Sequence, residues 1–306
     1  MGNERRNRPD GNPVWEVAGR AARAVGVLVL ALALSQCAAR APGVARVATV
    51  TRDVVYTPAA WPEEIQADLY RPVESELAPA VVLIHGGGWT TPDLRWQMRG
   101  IARDLAKRGY FVMNLTYRSA EDWVYPAPVD DVGAALDWIE ANAAEHGIDA
   151  RRIATFGYSA GGHLALLSGL RDTRVKAIVA GAAPSDLMLF DGGRLVQAFI
   201  GGTRQEFPER YRAASPVHQV RPGAPPVFLY HGVRDGLIPA FHSEIMSGAL
   251  AQAGVPHEVY FLRRKNHVTA FMFGSEATDR AIDFLDRTLR VSRLPGGGGS
   301  ERGGGR

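Results

Sequence analysis

"RRIATFGYSAGGHLALLSGL", residues Arg151 to Leu170, contains the turn on which the reading of the fold depends. Ile153 to Phe156 is a short apolar run, the pattern of a buried strand. From His163 onward the spacing is helical. Between them stands "GYSAGG", Gly157 to Gly162, of the form G-x-S-x-G. A nucleophilic serine must stand clear of a sheet on a sharp strand-to-helix turn, and small neighbours at Gly157 and Gly161 let that turn close. The helix that begins there aims free N–H groups and its positive end at developing negative charge. Such a pattern also arises by chance in glycine-rich chains. The strand before it and the helix after it give it weight.

A second glycine cluster lies upstream. "PAVVLI", Pro79 to Ile84, reads as a buried strand and empties into "HGGGWTTPD", His85 to Asp93. Three consecutive glycines are costly in backbone entropy, so they need a reason. A flexible turn is one. Close approach of backbone to a substrate is the other.

Outward from these two stretches, strand and helix patterns alternate. "VATVTRDVVYT" and "IQADLYRP" read as strands, followed by a helix over 93–107 and the strand "YFVMNLTY". A helix ending at Gly147 precedes the serine turn. "VKAIVAG", "PVFLYHG" and "HEVYFLR" are further strands, with helices at 240–253 and in "ATDRAIDFLDRTLR". Repeated alternation predicts one mostly parallel α/β sheet with helices on both faces, and ligands then bind at the carboxyl ends of the strands.

Composition excludes other classes. The 306-residue chain carries a net charge of +3, but the excess lies at its ends. Residues 37–290 hold 27 basic against 28 acidic side chains, so the body offers no basic footprint for nucleic acid. Cys37 is the single cysteine, which rules out an internal disulfide, and no cysteine–histidine cluster has zinc spacing. No metal or organic cofactor is implied.

Cys37 has a particular setting. Five arginines precede the apolar run Ala24 to Leu34, which is too short for an ordinary membrane span. The run ends at "LSQCAAR", which resembles a bacterial lipoprotein signal. Leu34 fits the position three before the cysteine, while Gln36 departs from the small residue usual just before it. The resemblance implies a signal over 1–36, a lipidated Cys37 and a linker over 37–46. It implies export and anchoring to a membrane surface, on the periplasmic side or at the outer membrane. An uncleaved anchor or ordinary secretion is the alternative. "LPGGGGSERGGGR" closes a glycine-rich tail over 291–306, read as disordered.

"ADLYRP", "HGGGW", "YRSAEDWVYPAP" and "GYSAGG" together resemble the α/β-hydrolase superfamily. Within it, they are similar to the HGGG-type esterases and lipases of the BD-FAE and hormone-sensitive-lipase-like kind. The resemblance covers about 47–290. "TYRSAED" departs from the hormone-sensitive-lipase-like branch, which has an aspartate and "YRLAPE" there. It implies an α/β-hydrolase fold with a small cap at about 184–224. Gly87, Gly88 and Ala160 are carried over from the family as oxyanion donors.

The family order is serine, acid, histidine. The resemblance makes Ser159 the expected nucleophile, and His267 in "RRKNHVTAF", which follows the last strand at the correct sheet edge, the expected base. His257 opens that strand at the wrong edge, His231 precedes the acid, and His242 sits on a helix. His163 reads as packing or capping and His85 as a brace for the glycine loop. Asp235 in "HGVRDGLIP" is the expected acid, with Asp186 the runner-up. Asp130 and Asp131 read as helix caps, and Trp89 as core or a pocket wall. Leu187, Leu189, Phe190, Val196, Phe199 and Ile200 of the cap can line an apolar wall or pack onto the sheet. The expected function is hydrolysis of small short-acyl carboxylic esters through an acyl-enzyme. An amidase of the kynurenine-formamidase-like kind, or a silent binding protein on the same fold, is the alternative.

Overall fold

Strand Ala78–Ile84 is buried along its whole length, and its side chains divide between two cores. Ala80, Val82 and Ile84 join one cluster, while Val81 and Leu83 join the other. Period-two alternation therefore sends apolar groups to both faces, as a central strand covered by helices requires. The computed structural model describes residues 49–73, 77–190 and 192–289. The expected signal, the linker with Cys37 and the tail over 291–306 lie outside the described residues.

The strands are β1 (Thr49–Val55), β2 (Gln66–Arg71), β3 (Ala78–Ile84), β4 (Phe111–Leu115), β5 (Ile148–Tyr158), β6 (Val175–Gly181), β7 (Val227–Gly232) and β8 (His257–Leu262). They form one sheet in the order β1-β2-β4-β3-β5-β6-β7-β8. β1 and β2 are antiparallel, β2 pairs antiparallel with β4, and every pairing from β4 to β8 is parallel. The mostly parallel α/β sheet expected from the alternation is thus present.

The helices are α1 (Arg95–Lys107), α2 (Ala127–Ala141), α3 (Ala143–His146), α4 (Ala160–Arg171), α5 (Arg194–Ile200), α6 (Pro208–Ala213), α7 (Phe241–Gln252), α8 (His267–Met272) and α9 (Ser275–Leu289). α1 and α9 cover one face through Met98, Leu105, Ile282 and Leu285. α2, α4 and α7 cover the other through Val132, Leu136, Leu164, Leu167, Met246 and Leu250.

One detail differs from the sequence reading. Asp130 and Asp131 lie inside α2 and do not cap it. Asp131 is fully buried and accepts from the Arg118 backbone N–H at 2.8 Å, Arg118 Nε at 2.8 Å and Trp61 Nε1 at 2.8 Å. The reason is the entry to α2: Pro126 precedes the first turn, so no side-chain cap is used, and the acids fall further along. His267, beyond the end of β8, opens α8. Asn266 caps that helix, accepting the Thr269 N–H at 2.9 Å, while the Thr269 hydroxyl accepts the Asn266 N–H at 2.9 Å. This reciprocal pair is a capping box, readable in "NHVT".

Candidate active site

The serine turn is forced by the residues around it. Ser159 sits at φ 57°, a left-handed conformation that costs a non-glycine residue energy. Its N–H is tied to the Gly181 carbonyl at 2.8 Å. A Cβ on Gly157 would lie 2.1 Å from the Gly161 carbonyl oxygen, and one on Gly161 would lie 2.2 Å from that of Ile84. Both glycines are therefore required by backbone contact, and α4 starts directly above the end of β3.

That contact brings the glycine loop to the serine. A Cβ on Gly86 would meet Ser159 Cβ at 3.3 Å. Gly87, Gly88 and Trp89 follow at φ 110°, 62° and 63°. The loop turns back on itself, with the Thr90 and Thr91 N–H groups donating to the Gly87 carbonyl. Among the described residues, the N–H groups of Gly87, Gly88 and Ala160 meet no acceptor. Ala160 opens α4, where a helix leaves its first donors free.

The three residues expected from different strand ends meet at this edge. His267 Nε2 is 3.0 Å from Ser159 Oγ, and His267 Nδ1 is 2.7 Å from Asp235 Oδ2. A carboxylate only accepts, so Nδ1 carries the proton and Nε2 offers its lone pair to the serine hydroxyl. Tyr158 donates its hydroxyl to the His267 carbonyl at 2.6 Å and places its ring 5.3 Å from the imidazole. Asp235 Oδ1 accepts the N–H groups of Leu237 and Ile238, each at 2.9 Å. Burial alone would raise the Asp235 carboxyl. The N–H edge of His231 facing Oδ2, with hydrogen bonds from His267 and the Ile238 N–H, outweighs it and holds the group below the usual carboxylate range.

The other candidates are spent elsewhere. Asp186 caps a 3₁₀ turn, accepting the Met188 N–H at 2.9 Å and facing the Ser215 hydroxyl at 3.4 Å. His257 contacts Ser247 Oγ and the Val255 carbonyl at the far edge. His242, on α7, stacks between Phe190 and Phe241. His163 donates from Nε2 to the Ala214 carbonyl at 2.7 Å and accepts from Trp89 Nε1 at 3.3 Å. His85 donates from Nδ1 to the Gly86 carbonyl at 2.6 Å and stacks on Tyr117. Burial pushes both His85 and His163 down to about 4.

Of the six cap side chains expected to line a wall, Leu187, Val196, Phe199 and Ile200 are buried, Phe190 is half-buried and Leu189 is exposed. Trp89 is buried too, stacked 4.7 Å from Phe199, so it joins cap to glycine loop and is not a free wall. Sequence reasoning missed Leu195. Its side chain is exposed and would touch a Cβ on Gly88 at 2.9 Å. No periodicity marks it, because it lies on the outer side of a short helix whose inner side carries the pattern. Tyr158 and His231 were also missed as supports. Each falls inside a motif, "GYS" and "HGVRD", where attention goes to the serine and the acid.

Residues 67–250 match the BD-FAE family. The chain is 29% identical to Esterase LipQ of Mycobacterium tuberculosis over 78% of this chain and 63% of that protein. It is 29% identical to the probable carboxylic ester hydrolase LipM of the same organism, over 72% and 58%. The chain thus spans about three fifths of the length of these curated relatives. Among solved structures, a truncated form of a carbohydrate esterase from gut microbiota superposes with a TM-score of 0.75 at 22% identity. That match covers 82% of this chain and all of the other, and it shows the shared fold. With more than half of its length matched and the sheet, serine turn and glycine loop in place, the chain belongs to the BD-FAE family of the α/β-hydrolase superfamily.

Proposed function

We propose that this protein hydrolyses small carboxylic esters with short acyl groups through an acyl-enzyme on Ser159. The observation that carries this reading is the unbroken chain from Ser159 Oγ to His267 Nε2 at 3.0 Å and from His267 Nδ1 to Asp235 Oδ2 at 2.7 Å. Ser159 Oγ attacks the acyl carbon as His267 takes its proton. The oxyanion forms against the N–H groups of Gly87, Gly88 and Ala160, which nothing else in the described residues occupies. His267 then passes the proton to the leaving alcohol. Water enters, loses a proton to His267, attacks the acyl carbon and releases the acid and the free serine. Asp235 keeps the ring in the required tautomer and stabilises it when charged.

The short-acyl preference rests on the cap. Its apolar side chains are largely committed to the core, and Leu195 crowds the space beside Gly88. The test is kcat/KM across 4-nitrophenyl esters of rising chain length, with a formyl-amide substrate alongside. A maximum between acetyl and about hexanoyl supports the reading, since each enclosed methylene is worth about 0.8 kcal/mol. A maximum at decanoyl or longer, or faster turnover of the formyl amide, overturns it.

The same reading places the enzyme at a membrane surface through lipid on Cys37, supported by the sequence around that cysteine. Fractionation of wild type and Cys37→Ser tests it. An unchanged distribution with no lipid mass on Cys37 contradicts it.

A further inference from the structure

We propose that His231 and Ser243 are positioning residues for the Ser159–His267–Asp235 chain. His231 locks the Asp235 carboxylate so that Oδ2 faces His267, and Ser243 holds the ring that does so. The inference rests on the esterase reading above and deepens it.

His231 ends in β7, four residues before Asp235, and is fully buried. Its Nε2 lies 2.8 Å from the Ile238 carbonyl oxygen. A carbonyl only accepts, so Nε2 carries a proton. The same N–H edge lies 3.4 Å from Asp235 Oδ2. On the other side of the ring, Nδ1 lies 2.8 Å from Ser243 Oγ on α7. The Ile238 peptide is therefore held at both ends. Its N–H binds Asp235 Oδ1, and its carbonyl binds His231.

The result is a carboxylate with little freedom to turn. Oδ1 is fixed by two backbone donors, and Oδ2 is flanked by His231 on one side and His267 on the other. Removing His231 leaves the buried Ile238 carbonyl without its partner, and it returns charge to Oδ2 that the N–H edge had drawn away. A more basic carboxylate holds the proton on His267 more tightly, so His267 becomes available as a base only at higher pH.

The other ionisable groups facing this cluster cannot take over. Tyr158, from the end of β5, donates its hydroxyl to the His267 carbonyl. His242, from α7, accepts the Ser185 N–H at Nδ1. Asp186, from the cap side, is turned to the Met188 N–H, and Tyr230 is buried within the face covered by α9.

The experiment measures the rate at which a fluorophosphonate labels Ser159 as a function of pH, with kcat and KM for 4-nitrophenyl acetate alongside. It compares full-length wild type, His231→Leu, His231→Gln and Ser243→Ala. For His231→Leu, labelling and kcat fall about 10- to 100-fold, KM changes little, and the acid limb moves to higher pH. His231→Gln keeps an N–H near the Nε2 position and brings the limb back toward wild type. Ser243→Ala moves the limb the same way by less. A purely structural residue would lower the amount of active protein and leave the limb in place. An acid limb in His231→Leu that coincides with wild type, or His231→Gln no better than His231→Leu, overturns the proposal. If His231→Leu does not fold, Ser243→Ala decides, and a wild-type limb there overturns it. Ser159 labelling with no ester turnover would instead count against the esterase reading, which keeps the two failures apart.

Discussion

His163 and His267 both lie within a turn or a hydrogen bond of Ser159, yet they belong to regions built for opposite purposes. His163 stands in the floor beneath the glycine loop, four residues after the serine on α4, and its N–H bonds the Ser159 carbonyl. Its two ring nitrogens end on the Ala214 carbonyl and the Trp89 indole, both buried. His267 stands at the mouth, with one nitrogen on a carboxylate and the other on a hydroxyl. Proximity to Ser159 therefore does not give a ring the geometry of a base. A ring nitrogen serves as base when it faces a hydroxyl it can deprotonate while its partner nitrogen is held by an ionised acid. A ring that bridges a carbonyl and an indole is a brace.

The sharpest way to break that distinction is to remove groups from each region. Ser159→Ala should lower ester turnover by about 10³-fold or more with an unchanged melting temperature, because these groups act as a unit. His267→Ala should match it. Asp235→Asn should cost about 10²- to 10⁴-fold by favouring the wrong ring tautomer, while Asp186→Asn stays within a few-fold of wild type. Near-full activity in Asp235→Asn with loss in Asp186→Asn would reverse the assignment of the acid.

In the floor the effect should be on stability. His163→Leu leaves the Ala214 carbonyl and the Trp89 N–H without partners, which should cost about 2–4 kcal/mol by denaturant melt. The folded fraction should keep turnover within about tenfold of wild type. A His163→Leu enzyme that is fully stable but inactive would move His163 from brace to base.

The two regions also separate by pH. His85 and His163 hold a proton less tightly in the fold than in the unfolded chain, with about 4 against 6.5. Their contribution to stability is complete above about pH 6.5 and is lost as pH falls toward 4. The loss is at most on the order of 3 kcal/mol for each buried ring. The Asp235 carboxyl is held below its usual range, so its contribution disappears only at lower pH still. Thermal melts at pH 7, 5.5 and 4.5 check this, and a melting temperature flat across that span would contradict it.

The smallest effect belongs to the cap. Leu195→Ala should open space beside Gly88 and move the preferred acyl length up by one or two methylenes, about fourfold in kcat/KM each. An unchanged chain-length profile would mean that Leu195 does not bound the acyl site.

The mouth was far more legible in the sequence than the floor. Ser159, Asp235 and His267 follow strand ends, and an alternating strand–helix pattern fixes which ends share an edge. Gly157 and Gly161 announce a turn because no other residue fits between backbones at those distances. His163 and His85 read only as packing or bracing groups without named partners, and His231, beside Asp235, carries no such signal. Their partners are the carbonyls of Ala214, Gly86 and Ile238, and two of these lie in different segments, so side-chain identity says nothing about them. Trp89 was ambiguous for the same reason, since its stacking partner Phe199 is over a hundred residues away. Asp131 was misread because a buried ion pair with Arg118 and a helix cap both place an acid near a helix start.

The central claim, that Ser159 is activated by His267, is tested most directly by peptide mapping after exposure to a fluorophosphonate. A single adduct is expected, on Ser159, absent in Ser159→Ala and formed at least about 100-fold more slowly in His267→Ala. An adduct on another residue, no adduct on Ser159, or an undiminished rate in His267→Ala would contradict it.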